Sequence, residues 1–202
     1  KNPNRAIIDK KLARIESDAK RFEKIKKSLN PKVSSGKFLK LLHDVENIAE
    51  KSSVIGGYAS LRYSENTQSD EATALLTRIR KFGSDIENRL LFFDLWWKRQ
   101  VDEKNAKRLI KSAGQFSEYL RFKRLLAKYS LSEPEEKIIN TLDVTGASAL
   151  VKLYDKITNA YVYTVTVDGK KRIMNREQLT TLVRSKKAKT REAAYKSLFS
   201  KY

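Results

Sequence analysis

Ile8, Leu12, Ile15, Ala19, Phe22, Ile25 and Leu29 recur at spacings of three and four, with Lys and Arg on the other sides. That period is the mark of a long amphipathic α-helix, and Asn30-Pro31 ends it. After Ser34-Ser35-Gly36 the series Phe38, Leu41, Val45, Ile48, Ile55 and Ala59 predicts a second helix, with Gly56-Gly57 as the point where it can bend. A third starts at Ser69-Asp70-Glu71, where Ser69 can cap free amides, and runs through Leu75, Ile79, Phe82, Ile86, Phe93 and Trp97. Long one-striped helices bury their stripes against each other. The expected fold is therefore mainly α, an antiparallel helical bundle or layer.

The next region, 102–129, divides near Ser112-Ala113-Gly114. Its second half sets Phe116, Tyr119, Phe122, Leu126 and Tyr129 on one stripe, which is expected to be core. Ser132-Glu133-Pro134-Glu135-Glu136 is a capped helix start with Pro and acids in the first turn, leading toward Asp143. Thr145-Gly146-Ala147 opens another helix that ends near Asn159. The helical rule breaks once. Residues 161–167 are β-branched and aromatic, and Asp168-Gly169 precedes Lys170 to Met174, which predicts one small β-hairpin at about 161–174 with a type I′ turn. An isolated hairpin is marginal in water, so helices of this chain or an absent partner must cover one of its faces. Beyond it, Asn175-Arg-Glu-Gln178 caps a helix to Arg184 and Thr190 caps the last one.

Lys and Arg number 43 against 24 acids, a net charge of +19 over 202 residues. The excess alternates along the chain instead of forming one tail. Residues 1–40, 98–128 and 170–202 are basic, whereas 41–97 and 129–169 are acidic. Stacking aromatics are not interleaved with the basic clusters, which disfavours a nucleic-acid groove and favours a partner that balances the charge. Absence of cysteine rules out disulfides, thiolate metal sites and a cysteine nucleophile, and fits a reducing, cytoplasmic location. The longest apolar run, Leu90 to Trp97, is interrupted by Asp94 and is too short to span a membrane.

The inventory of chemistry is sparse. His43 is the only histidine, so no two-histidine metal site forms within these residues. Beside Asp44 and Glu46 it reads as a surface or packing residue. Glu135-Glu136 are neighbours that do not face each other on a helix, and they sit where helix-start acids belong. Gly56-Gly57 lacks the strand and the Lys-Ser/Thr of a phosphate loop, and no nucleophile elbow or dinucleotide fingerprint is present. No residue is assigned as catalytic, cofactor-binding or metal-binding.

From Tyr119 onward the chain resembles oligoendopeptidase F and its relatives in the M3 family of zinc metallopeptidases. The residues that carry the resemblance are Leu131-Ser-Glu-Pro-Glu-Glu-Lys-Ile138, the run Thr145 to Asn159 followed by the strand pair, Leu179 to Ser185, and Arg191 to Phe199. The resemblance implies a two-lobed, mostly helical enzyme that cleaves short peptides in a channel, with one zinc ion held by two His and a Glu downstream of these residues. On that basis the chain is expected to be the N-terminal lobe and one channel wall, inactive alone, with the C-terminal catalytic lobe of the same protein as its partner. It divides into a long-helix region, 1–118, and a helical region with the hairpin, 119–202, which stops before the catalytic domain. The start at Lys1 and the stop at Tyr202 inside a helical pattern are read the same way. A basic helical nucleic-acid-binding or protein-interaction domain is the alternative. If the lobe reading holds, apolar surface meant for the catalytic lobe is exposed, with the hairpin faces Tyr161, Tyr163 and Val165 or Val162 and Thr164, and the stripe Tyr195, Leu198, Phe199 and Tyr202, as candidates. The same stripe is alternatively a cover for the hairpin within the chain.

Overall fold

The computed structural model describes residues 5–201. Its first helix, α1 (Arg5–Glu23), buries Ile8, Leu12, Ile15, Ala19 and Phe22. It does not continue to Leu29 as α. The chain tightens into a 3-10 turn at Lys24–Ser28, a common way for a helix to use its last carbonyls. The second helix, α2 (Ser35–Glu65), starts where the Ser34 side chain accepts from the Lys37 amide, and passes through Gly56-Gly57 without a break. The third, α3 (Asp70–Leu95), is capped by Ser69 and runs on into a π turn at Trp96–Gln100, where the Val101 amide donates to the Trp96 carbonyl at 3.2 Å.

Side-chain pairs fix the directions of these helices. Lys51 of α2 meets Asp18 of α1 at 2.7 Å, while Phe22 near the end of α1 joins the cluster around Phe38 near the start of α2, so the two run antiparallel. Arg78 pairs with Asp9 and Arg89 with Glu23, so α1 and α3 run the same way. Phe38 stacks on Trp97 with ring centroids 5.2 Å apart, and Phe22 meets Phe93 edge-on at 5.4 Å. This aromatic knot joins the start of α2 to the end of α3. It sits in a core that extends from Ile8 to Leu120.

Two short helices close that core. α4 (Glu103–Lys111) is capped by Asp102 and buries Ala106, Leu109 and Ile110. α5 (Ser117–Leu125) follows a turn in which Gly114 has φ +57. The structure corrects the expected aromatic core here. In α5 only Leu120 is buried, whereas Tyr119, Phe122 and Tyr129 are exposed and Phe116 is half-buried. The side turned to the body carries Leu120 and Arg124: the buried Trp97 indole donates to the Leu120 carbonyl at 3.0 Å, and Arg124 donates to the Trp97 and Val101 carbonyls.

The chain continues through α6 (Glu133–Thr145) and α7 (Ala147–Asn159) to the strands β1 (Tyr163–Val167) and β2 (Lys170–Met174), and ends in α8 (Arg176–Val183) and α9 (Ala188–Phe199). The strands pair antiparallel, Tyr163 opposite Met174, around a turn with φ +50 at Asp168 and +74 at Gly169. Both positive values are what a type I′ turn requires. Tyr163, Val165 and Val167 form a second, smaller core with Leu179 and Ala194. Helices of this chain therefore cover one hairpin face. Asn175 caps α8 as expected, but Thr190 does not cap α9. That helix starts three residues earlier, after Lys187, and Thr190 is a buried member of its first turn whose amide donates to the Lys187 carbonyl. Among the described residues the fold is mainly α with one small hairpin, and no helix is long and apolar enough to cross a membrane.

A candidate docking face on α6 and α7

The hydrogen bonds of α6 and α7 place them end to end along α3, in the opposite direction. Lys26 holds Glu133 at the start of α6. Asn140 donates to the Asn88 side chain at 2.9 Å, and its carbonyl accepts from Ser84 at 3.0 Å. Farther along, Arg80 donates to the Ser148 carbonyl, Lys152 to Thr77 at 2.8 Å, and Lys156 approaches Asp70 at 3.5 Å. From α2 and the turn after it, Tyr63 donates to the Lys152 carbonyl at 3.1 Å and Gln68 to the Lys156 carbonyl at 2.9 Å. Each contact is polar.

Ile139 and Val144 line the space between α6 and the body, but most apolar residues of the same helices point the other way. Ile138, Leu142, Leu150, Leu153, Tyr154 and Ile157 are all exposed. At 100° per residue they share the side of the helix opposite Asn140, Ser148 and Lys152. α6 buries no residue and α7 buries only Thr158. An amphipathic surface helix normally turns its apolar stripe to the core. Here the orientation is reversed, as it is in α5. Among the described residues, the exposed large apolar side chains that precede residue 119 are Ile7, Val54 and Leu61.

Gly146 joins α6 to α7 at φ −94 and ψ −106. A Cβ at this position would meet the Leu142 carbonyl oxygen at 2.8 Å, closer than real Cβ atoms come. The glycine thus lets the two helices keep one line along α3 while the backbone changes course. A cavity of about 750 Å³ lies between α2, α3 and the α6–α7 joint, and an adjoining one of about 570 Å³ lies between α2, α3 and α5; they share Ala49, Glu87, Leu90 and Asn140 in their walls. The two join into one trough along α2 and α3.

Titratable groups around the trough respond to it. Burial by the walls, then the nearby Asp143, pushes the Glu87 carboxyl up, although the outer side of its side chain meets solvent. Lys123 behaves differently: burial pulls its ammonium down, but the hydrogen bond and charge of Asp94, 2.9 Å away, outweigh this and leave it raised. His43 is exposed, pairs with Glu46 at 3.1 Å and meets the Phe116 ring edge-on. Glu135 and Glu136 accept from the Ser132 and Leu131 amides at the start of α6, so both act as helix-start acceptors. Among the described residues no group of three or more His, Cys, Asp or Glu is placed to hold a metal ion.

The surfaces expected to be unpartnered divide. Tyr163 and Val165 are covered, and the opposite hairpin side leaves Val162 and Ile173 exposed. Leu198 packs on the hairpin core, while Tyr195 and Phe199 are exposed with ring centroids 4.6 Å apart. Tyr202 lies outside the described residues. The α6–α7 face was missed by sequence reasoning, because a periodic stripe reports that a face is buried and not which neighbour buries it.

Fold and face together define a helical lobe with one large unpartnered apolar side. Comparison with known proteins finds two likenesses. Residues 99–162, which span α4 to α7, match the N-terminal family model of M3 peptidases described as Oligopeptidase F. The crystal structure of oligoendopeptidase-F from Enterococcus faecium has the same fold, with a TM-score of 0.72 at 20% identity over 98% of this chain and 38% of that one. The resemblance read from the sequence is borne out over that segment. This chain spans well under half the length of that protein. No curated protein matches it.

Proposed function

We propose that this chain is the N-terminal lobe of a zinc-dependent oligopeptidase, forming one wall of a channel that takes short peptides. On this reading residues 1–118 are the long-helix scaffold, and 119–202 face the catalytic lobe of the same protein. The observation that carries the proposal is the distribution of exposed apolar side chains, which are concentrated beyond residue 118 in the region that matches the peptidase family. A lobe that stood alone would present polar side chains there.

No catalytic step is assigned to these residues. Among the described residues no side-chain group is placed to hold zinc, and on this reading the metal, its ligands and the acid–base group would lie in the catalytic lobe. The metal would make a bound water acidic enough to attack a peptide carbonyl. This chain would position the peptide and exclude bulk water from one side. The whole enzyme is proposed to work in the cytoplasm, in keeping with a chain that has no cysteine. The test is hydrolysis of short internally quenched peptides by the longer polypeptide of the same gene. Activity that a zinc chelator removes and zinc restores, with none from the 202-residue chain alone, is expected. Failure of the longer polypeptide to cleave any peptide of about five to fifteen residues would contradict the proposal.

A further inference from the structure

We infer that the outward apolar ridge of α6 and α7 is the seat of an α-helix from the catalytic lobe, and that this ridge is the principal lobe–lobe contact. The inference rests on the functional reading above, and relocates the interface from the hairpin and α9 to residues 138–157.

The ridge is unnecessary for folding of this chain. Its helices are fastened to the body by Asn140, Lys152 and the Ser148, Lys152 and Lys156 carbonyls, while its apolar residues belong to neither hydrophobic core. Desolvated apolar surface must therefore be gained elsewhere, by association.

Its shape selects a helix as occupant. Ile138, Leu142, Leu150, Leu153 or Tyr154, and Ile157 follow each other at intervals of three, four and eight residues, with Gly146 filling the gap. Two helices laid end to end over these twenty residues, at about 1.5 Å each, give a strip of roughly 30 Å, the length of a helix of equal size. Ridges of i, i+4 side chains interlock with a second helix at 8–10 Å axial separation. A second copy of the chain is a poor occupant, because each copy carries +19. The same fold occurs as 38% of a longer chain, which leaves ample polypeptide to supply the helix.

The test compares one triple variant, Leu150→Ser, Leu153→Ser and Ile157→Ser, in two polypeptides. In the 202-residue chain the melting temperature is expected to stay within a degree or two, since exposed side chains are replaced. In the longer polypeptide the same variant is expected to lower the melting temperature markedly, to raise proteolysis between the lobes at least tenfold, and to reduce peptide hydrolysis. Equal loss in both polypeptides would show that the ridge is internal structure and overturn the inference. No loss in either would show that it stays exposed and also overturn it. A dimer of the 202-residue chain that the variant dissolves would assign the ridge to self-association instead. Peptide hydrolysis by the unsubstituted longer polypeptide separates the two claims. Hydrolysis without ridge sensitivity defeats only this inference, and ridge sensitivity without hydrolysis defeats only the functional reading.

Discussion

Lys152 in the middle of α7 donates to the Thr77 hydroxyl of α3 at 2.8 Å, while its neighbour Leu153 is left exposed. The polar residue faces the protein and the apolar one faces away. This inversion makes the stability of the chain respond to substitutions in an unusual order. Leu153→Ser should change the unfolding free energy of the isolated chain by less than about 0.5 kcal/mol, because Leu153 is 54% exposed and belongs to neither core. Lys152→Ala removes a hydrogen bond and should cost about 0.5–1.5 kcal/mol. Urea titrations of both variants read the difference, and a larger loss for Leu153→Ser would show that α7 packs the other way round.

Phe38 is nearly fully buried and touches Phe93, Trp96 and Trp97. Phe38→Ala removes the ring that joins α2 to the end of α3, and should cost about 3–5 kcal/mol. Loss of near-ultraviolet circular dichroism from the two tryptophans would accompany it.

Gly146→Ala should be destabilising, because the added methyl meets the Leu142 carbonyl with no flexible group to give way. The joint between α6 and α7 must then shift. Lys152 and Lys156 would move relative to Thr77 and Asp70, and faster amide exchange in α7 than in α2 is the expected readout.

Carboxylates at two places should respond to pH in opposite directions. The folded pKa of Glu87 lies above its unfolded value, chiefly through burial and then through Asp143. Its contribution to stability is fully present below the unfolded value, near 4.3, and is lost as pH rises through the raised value. Glu87→Gln should therefore raise the melting temperature at neutral pH and match the parent near pH 4. Asp18 is lowered, first by its hydrogen bond to Lys51 and against some burial. Its contribution is present above the unfolded value and lost as pH falls through the depressed one, so Asp18→Asn should lower the melting temperature at neutral pH and lose that effect in acid.

Much of the fold was legible because helix ends carry local chemistry. Ser69, Asn175 and the Ser132–Glu135 pair stop or start helices through bonds to amides within three residues, which the sequence contains in full. The Asp168-Gly169 turn is equally local. The stripe of α5 was misjudged for the reason that hid the α6–α7 face. Tyr119 and Phe122 satisfy the helical period, yet Leu120 is the residue turned to Trp97. A period identifies two sides of a helix, and only tertiary contact decides which side is inward. Thr190 has the chemistry of a cap, but Lys187 occupies that position, since the first turn of α9 forms on the Lys187 carbonyl.

If the chain is the lobe proposed above, the outer side of α6 and α7 is covered in the longer polypeptide. Hydroxyl-radical footprinting of the 202-residue chain and of the longer polypeptide measures it side chain by side chain. Leu150, Leu153, Tyr154 and Ile157 are expected to oxidise readily in the short chain and to be strongly protected in the long one, while Val54 and Leu61, exposed on α2, serve as references that react alike in both. Equal oxidation of the four ridge residues in the two polypeptides would show that the ridge is not the seat of the catalytic lobe.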